Sequence, residues 1–235
     1  MPYHILGSQN DDGLQTKPIG EVVIAVSPPC NDDMLSVFKR MGLPAYQAPY
    51  NMLQNLQYLR RVDIFGANCG SFQGAYCNPQ DVRQWIANGG KFLGSDFEDE
   101  PIQKCFPGII MTDRNGAAGI LLAQVVDPEL EQIIGSQIQL NFDMGSWHRI
   151  TRISSKEVGC CGHIVSPVTV HLESEGRPIV VSFKYGRGHV IYTSFHVHAQ
   201  ATEMEEALIK LLLLKPLSLT SGIPTATLYR QFGQG

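Results

Sequence analysis

Residues 85–96, Trp-Ile-Ala-Asn-Gly-Gly-Lys-Phe-Leu-Gly-Ser-Asp, decide the fold. A helix that opens at Asn78-Pro79 is predicted to run to Ala87 and to close at the paired glycines 89–90. Residues 91–94, which include the apolar pair Phe92 and Leu93, follow at once as the next predicted strand. A short run without alternation is typical of a strand buried on both faces. A helix that leads directly into a buried strand indicates a parallel sheet with crossover helices.

The same order of elements precedes this stretch. Strands are predicted at 21–27, 44–48 and 62–67, and helices at 51–60 and from Asn31 or Asp32 to about Met41. Right-handed crossovers bring the carboxyl ends of such strands, and the loops after them, to one edge of the sheet. Ligand sites in open α/β sheets gather at that edge.

The second half of the chain changes character. A short helix starts at Asp127-Pro128, strands are predicted at 137–143, 168–173, 178–184 and 189–195, and an amphipathic helix spans 202–214 until Pro216 ends it. We therefore predict a three-layer α/β/α domain with a largely parallel central sheet and an antiparallel extension. It occupies residues 21–215, between an N-terminal arm (1–20) and a C-terminal tail (216–235).

Composition narrows the function classes. The 235 residues carry a formal net charge of -4, which does not favour a phosphate backbone, so we expect no nucleic acid partner. Apolar runs such as 211–214 are too short to span a membrane, and the N-terminus lacks the features of a signal peptide. The six cysteines form no CxxC pair. We expect a cytoplasmic protein with reduced thiols and no cofactor.

Three segments, taken in order, resemble the class I glutamine amidotransferase-like superfamily. Residues 63–71 resemble its third strand and glycine-rich loop, 85–96 the approach to its nucleophile elbow, and 185–196 the strand that delivers its catalytic histidine. The double glycine and the Gly-x-Gly at 186–188 are also similar to the trehalose-utilisation (ThuA-like) branch. The resemblance covers residues 21–214 and implies the corresponding α/β fold.

Departures from the family pattern concern the chemistry. The resemblance places Ser95 where the family has its elbow cysteine, and His196-Val197-His198 where it has His-Pro-Glu. A cysteine amidotransferase needs a thiolate, a base and a group that orients the base. Two of the three are missing from their expected positions, so we expect no amidotransferase activity.

Two functional hypotheses remain open. In the first, the chain binds an unknown small ligand or protein partner at the old active-site edge, through these candidate residues: Asn68, Gly70, Asp96, Glu98 and His198. In the alternative, a divergent hydrolase uses His196 as the base for Ser95 or Cys69, on a carbohydrate-related or amide substrate. The exposed face of the closing helix would allow a homo-oligomer.

A metal site is a further interpretation of the same edge. His196 and His198 would share one face of a continued strand, and a carboxylate from residues 96–100 could join them. We favour a hydrogen-bonded histidine pair and predict no metal, because a site needs a third ligand placed in space. The acidic run 96–100 is interpreted as a solvated helix start.

Overall fold

The protein is described from a computed structural model that covers residues 16–71, 77–200 and 203–232. Its strands, in chain order, are β1 (Ile24–Val26), β2 (Ala45–Gln47), β3 (Ile64–Ala67), β4 (Lys91–Ser95), β5 (Ile110–Asp113), β6 (Gly119–Val125), β7 (Gln137–Phe142), β8 (Arg149–Ile153), β9 (Val158–Cys160), β10 (His163–Val165), β11 (Thr169–Ser174), β12 (Arg177–Tyr185) and β13 (Gly188–Thr193). Its α-helices are α1 (Met34–Arg40), α2 (Leu56–Leu59), α3 (Pro79–Ala87), α4 (Asp99–Cys105), α5 (Pro128–Ile134), α6 (Glu203–Ser221) and α7 (Thr225–Phe232).

The main sheet confirms the predicted architecture. Its strand order is β2-β1-β3-β4-β13-β12-β11-β6-β7. The pairs from β2 to β13 are parallel, and those from β13 to β7 are antiparallel. β10 and β9 extend from β12, and β5 pairs with β8 in a separate small sheet.

Successive residues of each central strand point to opposite faces, and each face carries its own hydrophobic core. In β1, Ile24 and Val26 join the cluster built with α1, α5, α6 and α7, whereas Ala25 joins the cluster built with α2, α3 and α4. In β4, likewise, Leu93 belongs to the first cluster and Phe92 to the second. This two-residue period explains why the strands are apolar without alternation: both faces are covered.

The double glycine and the Gly-x-Gly motif meet in space. A side chain on Gly90 would come within 2.2 Å of the Trp85 ring. A Cβ on Gly188 would lie 2.0 Å from the Ile86 carbonyl oxygen and 2.3 Å from that of Gly90. The β12–β13 turn therefore packs on the backbone at the end of α3, and only glycine allows this approach.

Several predicted elements require correction. α1 is capped by Asp33 rather than by Asn31 or Asp32, and the helix predicted at 51–60 is a 3-10 helix (Met52–Gln54) followed by α2. The sequence analysis also missed the strands β5, β6, β8, β9 and β10. In β6, Ile120 and Leu122 are at least half exposed, although the run 120–123 is as apolar in sequence as the buried central strands.

The predicted end of the closing helix at Pro216 is wrong. α6 passes through Pro216 to Ser221, and α7 follows it within the predicted tail. Proline removes one helical hydrogen bond, but the buried Leu217 and Leu228 anchor the chain beyond it. The predicted start at residue 202 and residues 1–15 of the predicted arm lie outside the described residues.

α6 is buried over most of its surface rather than amphipathic. Its successive residues 211–214 are all buried in the same core cluster, so the predicted amphipathic pattern with one exposed face does not hold over the described part of the helix. Among the described helices, none is by itself long and apolar enough to cross a membrane. The segments Glu206–Ser221 and Thr225–Phe232 meet that test only as a pair bent by 119°.

A buried polar network joins the antiparallel half of the sheet to α5 and α6. Asp127 caps α5, and its Oδ2 lies 2.5 Å from His171 Nδ1 and 3.2 Å from Lys215 Nζ. Burial opposes ionisation of Asp127, but the hydrogen bond with His171 and the charge of Lys215 outweigh it and lower the pKa of this carboxyl. The ionised carboxylate therefore stabilises this junction.

Gly188→Ala should lower the free energy of unfolding by about 3 kcal/mol, because the new methyl group overlaps backbone atoms that cannot rotate away. Urea unfolding measures the change. Gly159→Ala is the matched control: its Cβ meets nothing within 4 Å, and we expect a change of at most about 0.5 kcal/mol. Equal stability of the two variants would contradict the described packing of the turn on α3.

Asp127→Asn should destabilise the protein at neutral pH by about 1.5–3 kcal/mol, because asparagine keeps the helix cap but loses the charge-assisted hydrogen bonds. A carboxyl whose pKa is lowered on folding stabilises above its unfolded pKa of about 3.9, and this stabilisation is lost as the pH falls further. The difference between wild type and variant should therefore shrink below about pH 4. A difference that grows on acidification, measured by urea unfolding at several pH values, would contradict this assignment.

Candidate functional site

Four loops meet at the carboxyl edge of the parallel strands. They follow β1, β3, β4 and β13, whose parallel pairing places all their carboxyl ends on the same side. In these loops lie most of the residues singled out from the sequence. The structure brings three of them, Cys69, Asp96 and His196, into one buried cluster.

The strained turn after β4 is centred on Asp96. β4 runs through Ser95, and Asp96 has a φ of +42°, a left-handed value that non-glycine residues seldom adopt. A nucleophile elbow is such a sharp turn between a strand and a helix. The sequence analysis placed the elbow position at Ser95, one residue too early, because an unusual φ at an aspartate leaves no trace in the sequence.

The contacts of Asp96 fix its carboxylate. Oδ1 accepts a hydrogen bond from the His148 backbone N–H at 2.7 Å, and the Asp96 carbonyl accepts one from the Tyr192 hydroxyl at 2.8 Å. Oδ2 faces Cys69 Sγ and His196 Nε2, each at 3.5 Å. The strained backbone is thus held by partners from other elements, as such conformations require.

Cys69 follows β3 and is fully buried. Its Sγ donates to Asp96 Oδ2, and its backbone N–H donates to Ser95 Oγ at 3.0 Å. Burial raises the pKa of this thiol, and the charge of Asp96 raises it further, although His196 acts in the opposite direction. Cys69 is therefore a protonated thiol at neutral pH rather than an activated thiolate.

His196 lies between two carboxylates. Its Nδ1 is 2.8 Å from Asp143 Oδ1, and its Nε2 is 3.5 Å from Asp96 Oδ2. Burial would lower the pKa of His196, but the interactions with Asp96 and Cys69 dominate and raise it to about 11. The carboxylate that orients the histidine, missing from the sequence motif, is supplied by the loop after β7.

Asp32 organises the turn that carries the two histidines. Its carboxylate accepts hydrogen bonds from the backbone N–H groups of Val197 and His198 at 2.9 and 3.0 Å, and it lies 2.8 Å from His198 Nδ1. Burial raises the pKa of Asp32, but these bonds and one from Ser95 outweigh it, so the pKa is lowered. The strand β13 ends at Thr193, so the histidines follow it instead of sharing its face.

The other candidate residues occupy structural positions around the cluster. The Asn68 side chain accepts from the Met34 N–H at 2.8 Å and donates to the Ser27 carbonyl at 2.9 Å, which ties β3 to β1 and α1. Gly70 has a φ of +81° that favours glycine. The Ser95 hydroxyl is engaged by Cys69 and Asp32. The structure thus places Cys69, but not Ser95, beside the His196 imidazole.

The acidic run after β4 is buried, so its interpretation as a solvated helix start is wrong. Asp96, Glu98 and Asp99 are each at most 2% exposed. Asp99 contacts His148 Nδ1 at 2.5 Å, and the His148 ring stacks on Phe97 with ring centroids 4.4 Å apart. The loop between β7 and β8 supplies His148 and therefore covers this turn.

The same loop closes the cluster from solvent. A shallow depression beside Asp96 and His196 is lined by Asp143, Met144 and Trp147, and it is too narrow to admit a water molecule. Trp147 stacks on Phe142 with ring centroids 4.1 Å apart. In this conformation the cluster has no room for an organic molecule.

Sequence patterns give no sign of Asp143 as a site residue and mark Asp32 only as a helix cap; His148 could face the cleft, but its spacing does not demand it. No motif marks the loop 143–148. The available signal was position: Asp143 falls at the end of a predicted strand, as Asp96 and His196 do. This strand belongs to the antiparallel extension, which gave no reason to expect its end beside the parallel strands.

A second aspartate–histidine chain does not form a comparable site. His171 Nε2 lies 2.7 Å from Ser182 Oγ, while Nδ1 contacts Asp127. The order of groups matches a serine triad. However, Ser182 is buried in the middle of β12, between β11 and β13, whereas a nucleophile needs an exposed turn. We assign this network to the stability of the junction with α5.

Comparison with known proteins gives no match to a family model and no match to a curated protein sequence. Solved structures do match. A protein from Thermoplasma acidophilum, described as one of the subunits of GMP synthase, aligns with a TM-score of 0.56 at 13% identity, over 91% of this chain and 98% of that one. A ThuA-like protein from Bacteroides uniformis aligns with a TM-score of 0.54 at 12% identity, over 84% and 91% of the two chains.

A cytoplasmic protein of Salmonella typhimurium also matches, with a TM-score of 0.51 at 13% identity, over 75% of this chain and 88% of that one. At sequence identities of 12–13%, the similarity to these structures shows a shared fold and nothing more. The chain has the α/β fold of the class I glutamine amidotransferase-like proteins, which these structures share.

Proposed function

We propose that this protein has no amidotransferase activity and acts by binding a ligand at the carboxyl edge of its parallel strands. The observation that carries the proposal is the position of His196, fixed between Asp143 and Asp96. A histidine between two carboxylates favours the protonated imidazolium. It is then unable to remove a proton from a nucleophile at neutral pH.

The nucleophile required for glutamine hydrolysis is also missing. The strained turn holds the carboxylate of Asp96, and the neighbouring thiol of Cys69 is buried with a raised pKa. Nucleophilic catalysis by cysteine requires the thiolate and access to the substrate. Neither condition is met at Cys69 in the closed conformation.

The buried polar side chains of Cys69, Asp96 and His196 support the proposal that this edge of the sheet binds a ligand. Three side chains from three different loops converge here, and interactions from Asp143, His148 and Asp32 fix the loops that carry them. Buried ionisable groups cost stability unless they are paired, so such a cluster is a candidate site on physical grounds. We further propose a cytoplasmic location, supported by six free thiols and by the Salmonella structure described as cytoplasmic.

A hydrolase that uses Cys69 and His196 is the second candidate. One specific observation favours it: Cys69 Sγ lies within 4.8 Å of His196 Nε2, and Asp143 contacts the opposite ring nitrogen. Cysteine, histidine and carboxylate then follow in the order of a catalytic triad. Opening of the 143–148 loop and loss of the proton on His196 would be needed before this triad could act.

The purified protein should release no ammonia from glutamine above the background given by His196→Ala, because His196 is already protonated and Cys69 is buried. A coupled glutamate or ammonia assay measures the rate, with an active amidotransferase as positive control. Glutamine hydrolysis by wild type that is lost in both His196→Ala and Cys69→Ser would overturn the proposal.

Thiol alkylation distinguishes the second candidate. We expect iodoacetamide to modify the exposed Cys30 before the buried Cys69, as peptide mass spectrometry would show. Cys161, which is also exposed, is the internal control for general thiol reactivity. Faster alkylation of Cys69 than of both exposed cysteines, abolished by His196→Ala, would instead indicate a catalytic thiolate and favour the hydrolase.

A further inference from the structure

We propose that Cys69, Asp96 and His196 bind a single divalent transition-metal ion of the zinc type. The inference deepens the proposed ligand-binding function and rests on it, because it names the class of ligand taken by the same edge. Cysteine thiolate, histidine nitrogen and carboxylate oxygen are the three protein ligand types of zinc. All three residues are buried, and their donor atoms lie within 4.8 Å of one another.

The spacing of the donor atoms fits a zinc ion. Zinc bonds of about 2.3 Å to sulfur and about 2.0–2.2 Å to nitrogen and oxygen, at tetrahedral angles, separate sulfur from oxygen by about 3.6 Å and nitrogen from oxygen by about 3.4 Å. The observed separations are 3.5 Å from Cys69 Sγ to Asp96 Oδ2 and 3.5 Å from His196 Nε2 to the same oxygen. Two of the three donor separations therefore already fit the ion, and the third, from Cys69 Sγ to His196 Nε2, lies within 4.8 Å.

A direct hydrogen bond between His196 and Asp96 explains the geometry less well. An N–H···O hydrogen bond spans about 2.7–3.2 Å, whereas Nε2 is 3.5 Å from Oδ2. Nε2 is a buried atom without a hydrogen-bond partner among the described residues. A buried polar atom left in this state requires an explanation, and an ion held between Nε2 and Oδ2 supplies one.

The surrounding contacts match the arrangement found around metal ligands. A histidine ligand commonly donates its other ring N–H to a carboxylate, which fixes the tautomer and the orientation of the ring. Asp143 occupies this position at 2.8 Å from His196 Nδ1. The His148 N–H likewise holds Asp96 Oδ1 and leaves Oδ2 directed at the cluster. The ligands are therefore oriented before any ion arrives.

The third ligand, Cys69, could not be identified from the sequence pattern around the two histidines. His198, the partner considered there, contacts Asp32 instead and is 41% exposed. Cys69 lies in the loop after β3. The strand β3 pairs with β4 in the sheet, which brings this loop close to Asp96. Three protein ligands leave the fourth coordination position of zinc open, and the depression beside Asp96 and His196 must widen before water can fill it. On binding, Cys69 is the thiolate and His196 is neutral at Nε2, so protons are released to solvent.

The experiment uses the full chain, treated with a chelator, dialysed, and then titrated with Zn²⁺. We expect one zinc per chain by elemental analysis, and its loss in Cys69→Ser, Asp96→Asn and His196→Gln. Replacement of Zn²⁺ by Co²⁺ should give a near-ultraviolet thiolate-to-cobalt charge-transfer band in wild type that is lost in Cys69→Ser. This band reports ligation by sulfur in wild type, even where a variant folds poorly.

Two control variants exclude other thiol sites. Cys105→Ser removes a buried thiol from α4, and His163→Gln removes the histidine nearest in sequence to the adjacent cysteines 160–161. Both should keep one zinc per chain and the cobalt band. No stoichiometric zinc, or zinc that survives Cys69→Ser but not His163→Gln, would overturn the site. Neither result would affect the absence of glutamine hydrolysis, which is measured separately.

Asp143→Asn tests the orienting role of the carboxylate. Removal of such an outer partner weakens metal binding by about 10–100-fold without removing a ligand. We expect zinc affinity, measured by competition with a chelating dye, to fall in that range while the stoichiometry and the Co²⁺ band are kept. An affinity equal to wild type would contradict the role of Asp143, and loss of the band would show that the ligand set is different.

Discussion

The carboxylate of Asp96 is the interaction on which the rest of the site depends. Its backbone occupies a left-handed conformation that costs about 1–2 kcal/mol for a residue with a side chain. The hydrogen bonds from the His148 N–H and the Tyr192 hydroxyl offset this cost, at about 1 kcal/mol each. Because Oδ1 is already occupied, Oδ2 alone faces Cys69 and His196. The loop after β7, through the His148 N–H, therefore stabilises the turn after β4.

This arrangement explains how the fold can be kept while the chemistry changes. An elbow with a thiol would present an accessible nucleophile, but here the same strained position presents a buried carboxylate. Burial lowers the pKa of His196, but the interactions with Asp96 and Cys69 outweigh it and raise this pKa to about 11, so the imidazole is protonated at neutral pH. The same pair of groups, joined by Cys69, has the donor atoms that a zinc ion requires. The carboxylate in this turn thus disfavours base catalysis by His196 and supplies one ligand of the proposed ion.

The sequence predicted the parallel core well for a physical reason. Ile24 and Ala25 serve different cores on opposite faces, so the central strands are apolar throughout and stand out from their surroundings. The two glycine motifs were also informative, because Gly188 packs on the carbonyl of Ile86 at the end of α3. β6, which lies between β11 and β7, was missed although residues 120–123 form an uninterrupted apolar run; Ile120 is exposed there.

The site was less predictable because it depends on contacts between loops that are distant in sequence. Cys69, Asp96 and His196 were all named, but the elbow was set one residue early. Asp143 lies 53 residues before His196 and carries no motif. A proline is also an unreliable helix end when the following residues are buried: Leu217 keeps α6 in the core after Pro216.

Anomalous diffraction at the zinc absorption edge, from crystals of the zinc-treated protein, tests the central claim most directly. The account predicts one strong anomalous peak bonded to Cys69 Sγ, Asp96 Oδ2 and His196 Nε2, with Asp143 still on the far side of the imidazole. Crystals with no peak in the cluster, and with His196 Nε2 hydrogen-bonded directly to Asp96 Oδ2, would contradict it.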